Sequence, residues 1–134
     1  MISVLVVEDE IIIRKSLELT LKNDGITVIP GTSSGEEALQ IARRERPDVV
    51  LMDINLRDDM DGISTAGEIG RICNAAVVFI SAYDYKGKTM STEGVNFAGY
   101  LSKPVREEHL LAAIRGAKAL LSQVHEECTE FGSY

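Results

Sequence analysis

Several positions in this 134-residue chain carry chemistry-bearing side chains at the ends of short apolar runs. Ile2 to Val7 is followed at once by Glu8, Asp9 and Glu10; Val49 to Met52 by Asp53; Ala75 to Ile80 by Ser81; and Gly99 to Leu101 is followed by Lys103 and Pro104. Carboxylates brought together repel, and each raises the pKa of the others unless a cation is present. An oxygen-rich acidic cleft suits a hard cation, with Mg²⁺ the first candidate. A lysine among the carboxylates adds positive charge where an anion can bind. A serine hydroxyl supplies a donor to the same anion. Metal, acceptor carboxylate, lysine and hydroxyl are together the parts of a phosphoryl-transfer site.

Taken singly, each residue has a plainer reading. Asp9 is well placed to cap a following helix. Asp53 at a strand end is a common turn former. Ser81 can satisfy backbone groups, and a lysine such as Lys103 is by default solvated. Their coincidence at the ends of four different apolar runs favours a shared site over four separate accidents.

The elements that must position these groups alternate along the chain. Ile2–Val7, Ile26–Ile29, Val49–Met52, Ala75–Ile80 and Gly99–Leu101 read as strands. Between them, Ile13, Leu17 and Leu21 recur at helical spacing, and Gly25 closes the segment Glu10–Asn23. Ser34 with Glu37 reads as a capping box opening a helix that Pro47 ends. Ile63–Ile72 carries Ala66, Ile69 and Ile72 on one side. Lys86–Val95 is the weakest helical segment, because Gly87, Thr89, Ser91, Thr92 and Gly94 all disfavour helix. Arg106–Val124 places Leu110, Ile114, Ala117 and Leu121 on one face, and His125–Tyr134 reads as a polar, frayed tail. Strands apolar throughout are buried on both faces, which means a parallel sheet. Right-handed crossovers then give a doubly wound α/β fold, whose ligands bind beyond the carboxyl ends of the strands.

Composition narrows the classes. The hydrophobic share is 45% and the charged share 26%, ordinary for a globular domain. A net charge of −7 argues against a nucleic-acid or anionic-membrane binder. Arg43, Arg44 and Arg46 form the one basic cluster and read as a solvated helix face. Cys73 and Cys128 lack metal or redox spacing, so a reducing, cytoplasmic setting is expected. The apolar runs are too short to span a bilayer, and the acidic N-terminus does not read as a signal peptide.

The motifs Val-Leu-Val-Val-Glu-Asp-Glu (4–10), Pro-Asp-Val-Val-Leu-Met-Asp-Ile-Asn-Leu (47–56), Met-Asp-Gly-Ile (60–63), Val-Val-Phe-Ile-Ser-Ala-Tyr (77–83) and Gly-Tyr-Leu-Ser-Lys-Pro (99–104) together resemble a receiver domain of the bacterial two-component response regulators. The resemblance covers about residues 2–121. It implies a flavodoxin-like (βα)5 fold with strand order 2-1-3-4-5, formed by residues 1–124, with 125–134 as a tail. It implies that Asp53 accepts a phosphoryl group from a sensor histidine kinase or phosphotransfer protein. Glu8, Asp9 and Asp53 would hold Mg²⁺ with the backbone carbonyl of Asn55. Lys103 would pair with the phosphoryl group, Ser81 would move to bond it, and Tyr100 would turn from an exposed rotamer to a buried one. A downstream protein would then bind the face formed by residues 86–121, and phosphorylation-dependent dimerisation is compatible with the family. Lys103-Pro104 is expected to be cis. The only activities expected are self-phosphorylation from a donor and slow autodephosphorylation.

There are departures from the family pattern. The loop after Asp53 lacks a proline and is one residue longer, which affects Arg57 to Asp61. Val105 stands where phenylalanine is usual, and Asn96-Phe97-Ala98 replaces a Gly-Ala pair. Tyr83 has two readings, loop packing or hindrance of water near the phosphoryl group. Two rival functions are a Mg²⁺-dependent hydrolase with an aspartyl nucleophile and a degenerate receiver serving only as an interaction module. The hydrolase would want an acid/base Asp where Asn55 stands. The degenerate form would not need the full set Glu8, Asp9, Asp53, Ser81 and Lys103.

Overall fold

The computed structural model describes the backbone of residues 2–56, 61–82 and 95–132, and side chains as far as residue 122. The strands are β1 (Ser3–Val7), β2 (Thr27–Thr32), β3 (Val49–Asp53), β4 (Ala76–Ser81) and β5 (Asn96–Ser102). The helices are α1 (Ile11–Asn23), α2 (Gly35–Glu45), α3 (Gly62–Ile72) and α4 (Glu107–Gly132). The strands form one sheet in the order β2-β1-β3-β4-β5, and every pairing is parallel. The expected flavodoxin-like order is therefore the observed one. Residues 86–94 of the weak helical segment lie outside the described residues, as do residues 57–60 and Tyr83.

Strand periodicity builds the two layers. Alternate residues point to opposite faces. Leu5, Val7, Val50, Met52, Val77 and Phe79 join Ala38, Ile41, Ala66 and Ile69 on the α2–α3 side. Val4, Val6, Val49, Leu51, Val78 and Ile80 join Leu17, Leu21, Leu110 and Ile114 on the α1–α4 side. Every residue of β3 and β4 is buried. Burying one such side chain stabilises the fold by about 1.5–3 kcal/mol, so the three central strands are the rigid part of the scaffold.

Three boundaries differ from the sequence reading by three residues or more. β2 continues through Pro30 and Gly31 to Thr32. Proline lacks a donor N–H, but β2 is an edge strand, and its register against β1 shifts between Leu5 and Val7. Both features tolerate proline. β5 begins at Asn96, where Asn96 and Phe97 pair with Ala76 and Val77. α4 runs past Val124 to Gly132, because residues 125–131 contain glutamates and neither glycine nor proline. Residues 125–132 are thus helical backbone where a frayed tail was expected.

Candidate phosphoryl-transfer site

Parallel register sets the site. Val7 pairs with Met52, Asp53 with Ile80, and Ser81 with Ser102. Glu8, Asp53, Ser81 and Lys103 therefore leave the sheet at one edge, within a residue or so of one another in height. Glu8, Asp53 and Ser81 are all buried.

Lys103 links the carboxylates. Its Nζ lies 2.7 Å from Glu8 Oε1, 3.3 Å from Asp53 Oδ2 and 3.9 Å from Glu10 Oε1. The lysine is held there from the backbone, because Lys103 N donates to Ser81 O at 2.8 Å. The Lys103-Pro104 peptide is cis, as expected. Burial alone would lower the lysine pKa, but contacts with Glu8 and Asp53 outweigh it and hold the ammonium above its ordinary value. Glu8 is pushed up to about 7, first by burial and then by the adjacent Asp53 carboxyl, with Lys103 opposing.

The Asp53 carboxylate is fixed from its own loop. Asn55 N donates to Asp53 Oδ1 at 2.9 Å, and Asn55 Nδ2 lies 3.4 Å from Ser81 Oγ. The backbone beneath is equally constrained. Ile54 N donates to Ile80 O at 3.0 Å, and Gly62 N to Ile54 O at 3.0 Å. Gly62 opens α3 against the peptide of Asp53: a Cβ there would overlap Asp53 O and stand 2.7 Å from Ile54 Cα. Asp61 caps the helix by accepting from Ser64 N at 2.7 Å.

Glu8 Oε2 is buried with no hydrogen-bond donor on it among the described residues. Carboxylate oxygens of Glu8, Asp9 and Glu10 all lie within 4.8 Å of one another. A buried oxygen lacking a donor, beside further carboxylates, is a hard-oxygen set that fits Mg²⁺. Glu10 belongs to this cluster, although the expected metal set omitted it. Asp9 is not the N-cap of α1; that position is Glu10, without a side-chain cap. Tyr100 is half-buried against the α2–α3 core, between the exposed and buried positions expected for it. Cys73 is a buried packing residue, and burial pushes its thiol up. Arg43, Arg44 and Arg46 are exposed, as expected of a solvated face.

The chain matches the family model for the response regulator receiver domain over residues 4–115. It is 38% identical over 118 residues, 86% of this chain and 46% of the other, to a positive alginate biosynthesis regulatory protein of Pseudomonas aeruginosa. It spans about half the length of the curated relatives it matches. Among solved structures, it resembles the N-terminal domain of a response regulator/sensory box/GGDEF three-domain protein from Carboxydothermus hydrogenoformans. The TM-score is 0.82 at 30% identity, covering 92% of this chain and 99% of that one. It also resembles the receiver domain of a Pseudomonas aeruginosa sensor histidine kinase that has a magnesium ion coordinated in its active-site cleft. There the TM-score is 0.72 at 25% identity, covering 87% of this chain and 98% of that one. Strand order, site and family match agree: the chain belongs to the response regulator receiver domains.

Proposed function

We propose that this chain is a phosphorylation-controlled switch in which Asp53 takes a phosphoryl group from a phosphohistidine of a sensor kinase or phosphotransfer protein. The observation that carries the reading is Lys103 Nζ between Glu8 Oε1 at 2.7 Å and Asp53 Oδ2 at 3.3 Å. A partly buried cation on a carboxylate beside a second, raised carboxylate is an arrangement for stabilising an incoming anion. In the transfer, an Asp53 oxygen bonds to phosphorus as the phosphorus–nitrogen bond of the donor breaks. The bond pair stays with the donor nitrogen, which leaves as neutral imidazole when its other nitrogen carries the proton. Lys103 neutralises charge on the transferred group, Asn55 N holds Asp53 Oδ1 in place, and the Ser81 hydroxyl supplies a further donor. Mg²⁺, held by Glu8, Asp9, Asp53 and the Asn55 carbonyl, would neutralise the phosphoryl oxygens as a Lewis acid.

The remaining parts of the reading rest on the likeness to the receiver-domain family. Residues 1–124 form the switch unit, cytoplasmic like the phosphodonor it meets, and residues 125–134 continue beyond it. A downstream protein would read the face spanning residues 86–121, and self-dimerisation on phosphorylation belongs to the same reading. The test is beryllium fluoride with Mg²⁺, followed by fluorine NMR. The wild type should give bound fluoride signals, and Asp53→Asn should give none. No bound signal in the wild type, or an unchanged one in Asp53→Asn, would reject Asp53 as the acceptor.

A further inference from the structure

α1 carries Arg14 and Glu18, four residues apart and therefore on one face. Both reach the ends of β1 and β2. Arg14 Nη1 donates to the backbone carbonyl of Glu8 at 2.9 Å. Glu18 is buried at 5% exposure, and its Oε2 accepts from Gly31 N at 2.9 Å. Gly31 fits beneath the two side chains. A Cβ there would stand 2.6 Å from Val6 O, 3.0 Å from Glu18 Oε2 and 3.1 Å from Arg14 Cδ.

These contacts converge on one residue. Gly31 falls in the register shift where pairing passes from Leu5↔Ile29 to Val7↔Thr32. The shift delivers Thr32 O to Glu8 N at 3.0 Å. Both backbone polar groups of Glu8 are thus held, its N–H by the strand that Glu18 anchors and its carbonyl by Arg14. A buried carboxylate is costly unless hydrogen-bonded, and Glu18 spends its bond on the strand turn that feeds Glu8. An apolar side chain would serve packing alone.

We propose that Arg14 and Glu18 are positioning residues for Glu8, holding the 8–9 segment in the geometry that binds the divalent cation. The inference rests on the reading of Glu8 as a metal-site carboxylate. Residues behind first ligands commonly change metal affinity by about 10–100-fold when removed.

The test is Mg²⁺ titration of the whole chain by amide NMR, with the urea midpoint of the metal-free protein measured in parallel. Arg14→Met keeps the stem and removes the donor; its Mg²⁺ Kd should rise about tenfold. Arg14→Lys keeps a cationic donor and should fall between that variant and the wild type. Glu18→Leu should weaken Mg²⁺ through the strand turn. A lower urea midpoint with an unchanged Kd in all three would overturn the proposal, since that is the signature of a merely structural contact. If Arg14→Met does not fold, wild-type affinity in Arg14→Lys overturns it alone. A wild type that binds no Mg²⁺ rejects the metal reading itself; a wild type that binds, with variants that bind equally, rejects only the positioning role.

Discussion

Gly62→Ala places one methyl group against the peptide that carries Asp53. Nothing flexible lies in the way: the nearest atoms are Asp53 O, Ile54 Cα at 2.7 Å and Asp53 C at 2.8 Å, all backbone. Ordinary contact for a Cβ would need these atoms to retreat by on the order of 1 Å, against a β3 that is wholly buried. Overpacking of this kind costs about 1–3 kcal/mol. Losing the Gly62 N to Ile54 O hydrogen bond, 3.0 Å long, adds about 1 kcal/mol. The opposing gain, alanine over glycine in a helix, is at most about 1 kcal/mol and less at the first position. The steric term wins, for a net loss of about 1–4 kcal/mol. A displacement near 1 Å at Asp53, the proposed acceptor, also costs about 100-fold in rate where reaction depends on near-attack geometry. Urea denaturation measures the first effect, and the rate of phosphorylation by acetyl phosphate with Mg²⁺, followed by intact mass, measures the second. A variant with the wild-type midpoint and rate would refute the claim that the start of α3 braces Asp53.

Three further outcomes are expected. Glu8 keeps its proton to about pH 7 in the metal-free fold, against an ordinary 4.5; its stabilising contribution is therefore full below 4.5 and is lost as pH rises through 7. The stability difference between wild type and Glu8→Gln, from urea midpoints, should fall across that window, and Mg²⁺ affinity should rise across it; a flat difference contradicts the assignment. Asp61→Ala removes the acceptor of the 2.7 Å bond from Ser64 N and should cost about 1 kcal/mol by denaturation, an unchanged midpoint counting against the cap. Ser81→Ala should still take a phosphoryl group at Asp53 yet lose the response of the Tyr100 ring in side-chain NMR; a full Tyr100 response there would separate the two residues.

The central scaffold was legible because its signal is local and redundant. β3 and β4 are apolar along their whole length, and burial on both faces admits few other readings. The positions of Glu8, Asp53, Ser81 and Lys103 followed from the same logic, since a parallel sheet gathers the residues after its strands. Less was legible where a long-range contact decides the outcome. Pro30 and Gly31 look like a break in sequence, yet edge position and a register shift carry β2 through them to Thr32. The contact of Arg14 with the Glu8 carbonyl leaves no pattern in side-chain spacing, because its acceptor is backbone. Asp61-Gly62 was visible as a loop end, but the closeness of Gly62 to Asp53 depends on the approach of α3 to β3. Glu10 directly follows Glu8 and Asp9 in the chain, and only the fold brings its carboxylate within reach of Glu8, Asp9 and Lys103.

The central claim is that Asp53 is the acceptor and Lys103 its electrostatic partner. Intact-mass measurement after incubation with acetyl phosphate and Mg²⁺ tests it most directly, on the wild type, Asp53→Asn and Lys103→Met. The account predicts a gain of one phosphoryl group in the wild type, mapped to Asp53, none in Asp53→Asn, and a greatly slowed gain in Lys103→Met. A phosphorylated Asp53→Asn protein, or a wild type modified at another carboxylate, would contradict it.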